Sequence, residues 1–166
     1  MPKLIKHDSV IEDDWKLIDS LDAEATLPDG KAILPWRAIQ TRQQELLQRE
    51  HLGVWLDSDE EPAGLEAILD KAAVIAINFP AFTDGRGYSY AQILRQRFDY
   101  GGELRAIGDV LRDQLFLMKR CGFDAFALRA DLDPQACLSA FDDFSESYQA
   151  AADQPVPLFR RRGSSQ

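Results

Sequence analysis

Histidine and cysteine are scarce, with two of each in 166 residues. Cys121 and Cys137 do not form a CxxC pair, so four-cysteine zinc or iron–sulfur ligation within the chain is excluded. With no secretory signature a disulfide is not expected either. His7 and His51 lie away from the strand ends where α/β proteins hold ligands, which leaves a nucleophile–His–acid triad without its histidine. Basic residues are in deficit as well: 19 Lys and Arg against 28 Asp and Glu give a net charge of −9. That is the wrong sign for a nucleic-acid or anionic-membrane surface. No apolar run approaches the ~20 residues of a membrane span, and Met1 to Lys6 has no apolar leader core. A cytoplasmic protein is expected, with neither nucleic acid nor membrane as partner. A GxGxxG fingerprint and a Walker-type loop are both missing, and no His or Cys cluster has metal-ligand spacing. No cofactor and no metal site are therefore expected.

What is present is an ordinary globular composition, 45% hydrophobic and 28% charged, arranged as strand and helix in turn. Residues 1–30 carry two short apolar patches, Leu4-Ile5 and Trp15 to Ile18, and read as an N-terminal β-ribbon and a connection ending in Pro28-Asp29-Gly30. Residues 31–152 read as one α/β domain. Its strands are Ala32 to Leu34, Gly53 to Leu56, Ala72 to Asn78, Glu103 to Ile107 and Phe123 to Leu128. Its helices are Trp36 to Glu50, Pro62 to Lys71, Tyr90 to Arg97, Asp109 to Arg120 and one starting at Pro134. Ser89 and Gln92 have capping-box spacing, which places a helix start at Ser89. Gly122 is expected to close one helix, and Asp133-Pro134 to open the last. That helix carries Cys137, Phe141, Phe144 and Tyr148 on an apolar stripe. Residues 153–166 read as a flexible tail.

About five strand–helix units imply parallel strands with right-handed crossovers, closed as an open sheet or a partial barrel. Arg105 tilts the reading toward the partial barrel. A charge in mid-strand is costly in a sheet covered on both faces, but tolerable on a face lining a polar cleft.

Parallel α/β folds collect ligands at the carboxyl ends of their strands. Those ends supply Asp57, Asn78, the turn Asp84-Gly85-Arg86-Gly87 before Ser89, Asp109 and Arg129, with Arg105 able to point the same way. The turn has the ingredients of a small-oxyanion site: glycines that permit positive φ and close approach, a helix start, and the planar donor fork of Arg86. Each residue also has a plainer role open to it. Asp57 serves as a turn acid, Asp109 as a helix cap, Arg129 in a surface ion pair, and Arg86 as a tie to Asp84 or Asp109. Phe79 and Phe82 read as core. Among Tyr88, Tyr90 and Tyr100, some could face a partner, which admits a homodimer.

The run Phe79-Pro80-x-Phe82-x-Asp84-Gly85-Arg86-Gly87-Tyr88-Ser89 is followed by Leu94-Arg95-x-Arg97 and by Gly102-Glu103-Leu104-Arg105-Ala106-x-Gly108-Asp109-Val110. With Asp113-Gln114 and Arg120-Cys121-Gly122-Phe123-Asp124, it resembles a bacterial domain family of unknown function. The resemblance runs from about Gly53 to Leu128. Members of that family carry the label of probable oxidoreductases of sulfite reduction, and the resemblance implies a gene encoded beside the assimilatory sulfite reductase haemoprotein, which makes that haemoprotein the expected partner. It supplies no catalytic residue. Three functions follow: an accessory protein of sulfite reduction without its own redox centre, a small α/β enzyme binding an oxyanion at Asp84–Ser89, or a cofactor-dependent oxidoreductase as the label states.

Overall fold

The structure is a computed structural model and describes residues 2–22, 24–143 and 150–156. Eight strands form one sheet: β1 (Lys3–Lys6), β2 (Ser9–Glu12), β3 (Lys16–Leu17), β4 (Ala32–Pro35), β5 (Leu52–Leu56), β6 (Ala72–Phe79), β7 (Glu103–Gly108) and β8 (Ala125–Phe126). Their spatial order is β2-β1-β8-β7-β6-β5-β4-β3. From β3 to β8 every neighbouring pair is parallel, while β1 runs antiparallel to both β2 and β8. The parallel reading of the strands around Val54, Ile75, Leu104 and Phe126 is therefore correct.

Only Asp13, Asp14 and Trp15 separate β2 from β3, yet these strands are the two outer members of the sheet. Laid flat at ~4.8 Å per strand, eight strands would hold their edges about 34 Å apart. The linker spans at most about 14 Å at ~3.5 Å per residue. The sheet is accordingly curled into a half-barrel, with the N-terminal segment strapped across its open side.

Alternation sorts the side chains onto two faces. Leu34, Val54, Leu56, Ile75, Ile77, Phe79, Leu104 and Ala106 point outward into the main core. There they meet Trp36 and Ile39 of α1 (Trp36–Thr41), Tyr90 and Ala91 of α3 (Arg86–Gln92), Leu115 and Met118 of α4 (Leu115–Cys121), and Cys137 of α5 (Pro134–Cys137). Ile33, Val74, Ala76 and Ile107 form a smaller cluster on the concave face, with Trp15 and Trp55 against it. Rungs across this inner face pair large with small, as in Trp55–Ala76–Arg105–Ala125. The alanines leave room for the indole and the guanidinium.

Several helices are shorter than the periodicity suggests. The expected helix from Trp36 breaks at Arg42 (φ −121°) and resumes only as α2 (Gln43–Leu46). Residues Pro62 to Lys71 form one 3-10 turn, Leu65–Ala67, entered through Gly64 at φ 93°. The helix expected from Asp109 starts later, as a 3-10 turn at Arg112–Gln114 leading into α4; the side chain of Gln114, not of Asp109, accepts the Leu111 N–H at its start. By contrast Gly122 closes α4 at φ 113°, and Asp133 caps α5 by accepting the Gln135 N–H, with Pro134 at the first position. Phe144, Tyr148 and the end of the expected tail lie outside the described residues. Cys121 and Cys137 are both buried. Tyr90 and Tyr100 are buried too, so neither offers its ring to a partner.

Arg105 does not line an open cleft. Its side chain is 3% exposed and bonds Glu103 at 2.7 Å and Asp13 of the strap at 2.7 Å. Lys6 closes the network on Glu103 at 2.6 Å. The mid-strand charge is tolerated because two carboxylates pair with it, one of them shared with the part-exposed Lys6.

Candidate functional site

The carboxyl ends of β5, β6 and β7 bring Asp57, Asn78 and Asp109 to one edge of the half-barrel. The Asn78 amide donates to Asp57 Oδ1 at 3.0 Å, which links the first two directly. The same oxygen of Asp57 accepts the Ser58 N–H at 2.8 Å. Asp109 accepts the Phe82 N–H at 3.1 Å with one oxygen and Arg129 at 3.3 Å with the other. Gly108, between them, sits at φ 91°, and a Cβ there would lie 2.4 Å from Asn78 Oδ1 and 2.5 Å from the Phe79 carbonyl oxygen. Only glycine lets β7 turn away at this point.

The loop after β6 is built differently from its sequence reading. Helix α3 begins at Arg86 and not at Ser89, which lies within it. Gly85 has φ −89° and needs no left-handed conformation. Gly87 is required for close approach: a Cβ there would come within 2.6 Å of the Phe79 ring. Asp84 organises the turn. It accepts the Arg86 N–H at 3.1 Å, Arg86 Nε at 3.0 Å and Arg86 Nη2 at 2.6 Å. Arg86 Nη2 also reaches Ser58 Oγ at 2.9 Å. The hydrogen bonds from Arg86 hold the Asp84 carboxyl well below the usual carboxylate range and push the guanidinium pKa up. A carboxylate of the protein itself thus meets part of the donor set expected for an anion.

Arg129 is shared between Asp109 and its near neighbour Asp131, at 2.6 Å to the latter. Arg105 stays inside the sheet and does not join this edge. Sequence reasoning missed Ser58, which is buried and ties Arg86 to β5, and also Arg37 and Glu60, paired at 2.8 Å beside Asp57. Phe82 was expected in the core; its ring is 60% exposed. Among the described residues no group of three or more His, Cys, Asp or Glu could hold a metal ion, and no helix is long and apolar enough to cross a membrane.

A curled, largely parallel sheet with helices on its convex side and polar residues at its carboxyl-end rim defines a half-barrel α/β protein. The family model of a bacterial protein of unknown function, DUF934, matches residues 53–159, and the chain belongs to that family. No curated protein and no solved structure matches it.

Proposed function

We propose that this chain is an accessory protein of assimilatory sulfite reduction, without a redox cofactor of its own, that docks on or beside the sulfite reductase haemoprotein through the loop after β6. The family resemblance supports the pathway. The observation supporting a docking role is Phe82. Its ring faces solvent while its backbone is bolted at both ends, the N–H to Asp109 at 3.1 Å and the carbonyl by Gln114 Nε2 at 3.2 Å. A rigid, exposed aromatic loses little entropy on binding and is a common anchor of protein interfaces. Pull-down from a host expressing the protein natively is expected to recover the reductase, and deletion of the gene to slow growth on sulfate but not on cysteine. Phe82→Ala is expected to weaken the complex by about tenfold or more, with an unchanged melting temperature. A reductase absent from the pull-down, with growth on sulfate intact, would refute the reading.

The second reading is the oxyanion site, and one observation favours it: the Arg86 side chain is held by Asp84 and Ser58 yet 54% exposed. Sulfite and sulfate titrations of wild type and Arg86→Ala decide it, identical curves removing the site. A visible spectrum after native purification tests the third reading, in which a stoichiometric flavin or haem would appear.

A further inference from the structure

Beside the rim, a cavity of about 370 Å³ opens between the ends of β3, β4 and β5. Trp55, Pro35, Leu21 and Ala38 give it apolar walls, and three acids line it: Asp57, Glu60 and the exposed Asp19. The indole is fixed, because its N–H donates to the Ile18 carbonyl at 2.8 Å. Glu60 is fully engaged: one oxygen takes Arg37 Nε at 2.8 Å and the other the Asp57 N–H at 2.8 Å. Arg37 also bonds Asp59, so its charge is met twice over. Asp57 differs from Glu60, Asp84 and Asp109, each of which is paired with an arginine. Its Oδ1 is held by Asn78 and the Ser58 N–H, whereas among the described residues its Oδ2 has no hydrogen bond and no ion pair includes it.

The geometry points to a binding site for a small organic cation, an alkylguanidinium or alkylammonium group, with Asp57 Oδ2 as counter-ion and the Trp55 ring as its flat wall. A tryptophan face attracts a cation through its quadrupole, and more strongly when water is displaced. An anion entering the same cavity would meet an uncompensated carboxylate. The net charge of −9 raises the local concentration of cations at the mouth. The site neighbours the Arg86 turn through Ser58 but uses neither Arg86 nor Phe82, and it does not depend on a role in sulfite reduction.

The test is calorimetric titration of the full chain with butylguanidine and with its neutral, near-isosteric partner butylurea. Binding of the guanidinium alone is expected; equal binding of both, or of neither, overturns the site. Asp57→Asn keeps the shape and the Asn78 contact, and is expected to lower butylguanidine affinity by about tenfold or more, the worth of a charge-assisted bond. Trp55→Leu is expected to lower it by about two- to fivefold. Should Asp57→Asn fail to fold, Ser20→Trp decides, since it narrows the mouth from an exposed position without touching the anchors; unchanged affinity there overturns the proposal. Doubly capped arginine, run alongside, separates the two sources of this chemistry. Affinity equal to butylguanidine assigns the site to an arginine side chain of a partner, and loss of binding assigns it to a free small guanidine.

Discussion

Arg86 and Arg95 stand at opposite ends of one helical segment, α3 and its π-helical continuation Ile93–Arg97, and the protein uses them differently. Arg95, at the amino ends of the strands, donates to the carbonyls of Gly122, Tyr100 and Gly102 and to the Asp124 carboxylate. It joins the two stretches of chain that enter β7 and β8. Arg86, at the carboxyl ends, is held mainly by Asp84, two residues away. One cation is spent on holding the fold together and sits 17% exposed; the other keeps its loop in shape and sits 54% exposed. Of these two arginines, the more accessible one has the fewer ties to distant parts of the fold.

Arg95→Ala should break that contrast most visibly. Three part-buried carbonyls and a carboxylate lose their donor, at a cost of about 3 kcal/mol. For a chain of this size that lowers the melting temperature by roughly 6–12 °C. Tyr100→Phe attacks the same end more gently, removing the hydroxyl that donates to the Ala72 carbonyl at 2.9 Å. About 1 kcal/mol, or roughly 2–4 °C, is expected by thermal denaturation. Arg86→Ala at the other end should leave the melting temperature nearly unchanged, as expected of an exposed pair. A loss as large as that of Arg95→Ala would erase the distinction between the two ends.

The smallest effect is in pH. Asp84 has a folded-state pKa depressed by Arg86. Its contribution is therefore present above the unfolded value of about 3.9 and is lost as pH falls below it toward the folded value. The melting-temperature difference between wild type and Asp84→Asn should be constant from pH 5 to 7 and shrink progressively below about pH 4. A difference that stays flat into strong acid would detach the carboxylate from the loop.

The parallel core was legible because continuous apolar runs such as Ala72 to Asn78 and the absence of hairpin turns carry it. The caps at Asp133 and Gly122 were legible because they act within a few residues. Ser89 misled because Ser-x-x-Gln spacing suits a helix start, while an acid two residues before Arg86 was already doing that work. Phe82 reads as core by composition; what turns it outward is the pair of backbone clamps from Asp109 and Gln114, whose positions no local pattern reveals. Arg37 and Glu60 were missed for a similar reason: their partnership crosses from α1 to the turn after β5. Arg105 was recognised as anomalous, but its partner Asp13 lies 92 residues away, beyond any periodicity.

The strap at Asp13–Trp15 has a consequence for the order of assembly. Strand β1 pairs locally with β2, but it joins the parallel strands only through β8, so Ile5 must wait for Phe126. As the chain leaves the ribosome, β3 to β7 can line up each beside the last while the N-terminal hairpin has no place on the sheet. Its docking is the step that crosses the greatest sequence distance, so its entropic cost comes late. Until then the growing sheet presents a raw edge at its newest strand, the kind of edge that recruits other chains. The hairpin covers β8, and the strap that leaves it brings β3 to the far side of β4. The segment at the start of the sequence therefore works as the closing clasp, and a chain whose clasp is weakened, as by Asp13→Ala, would show its defect first in refolding yield and aggregation.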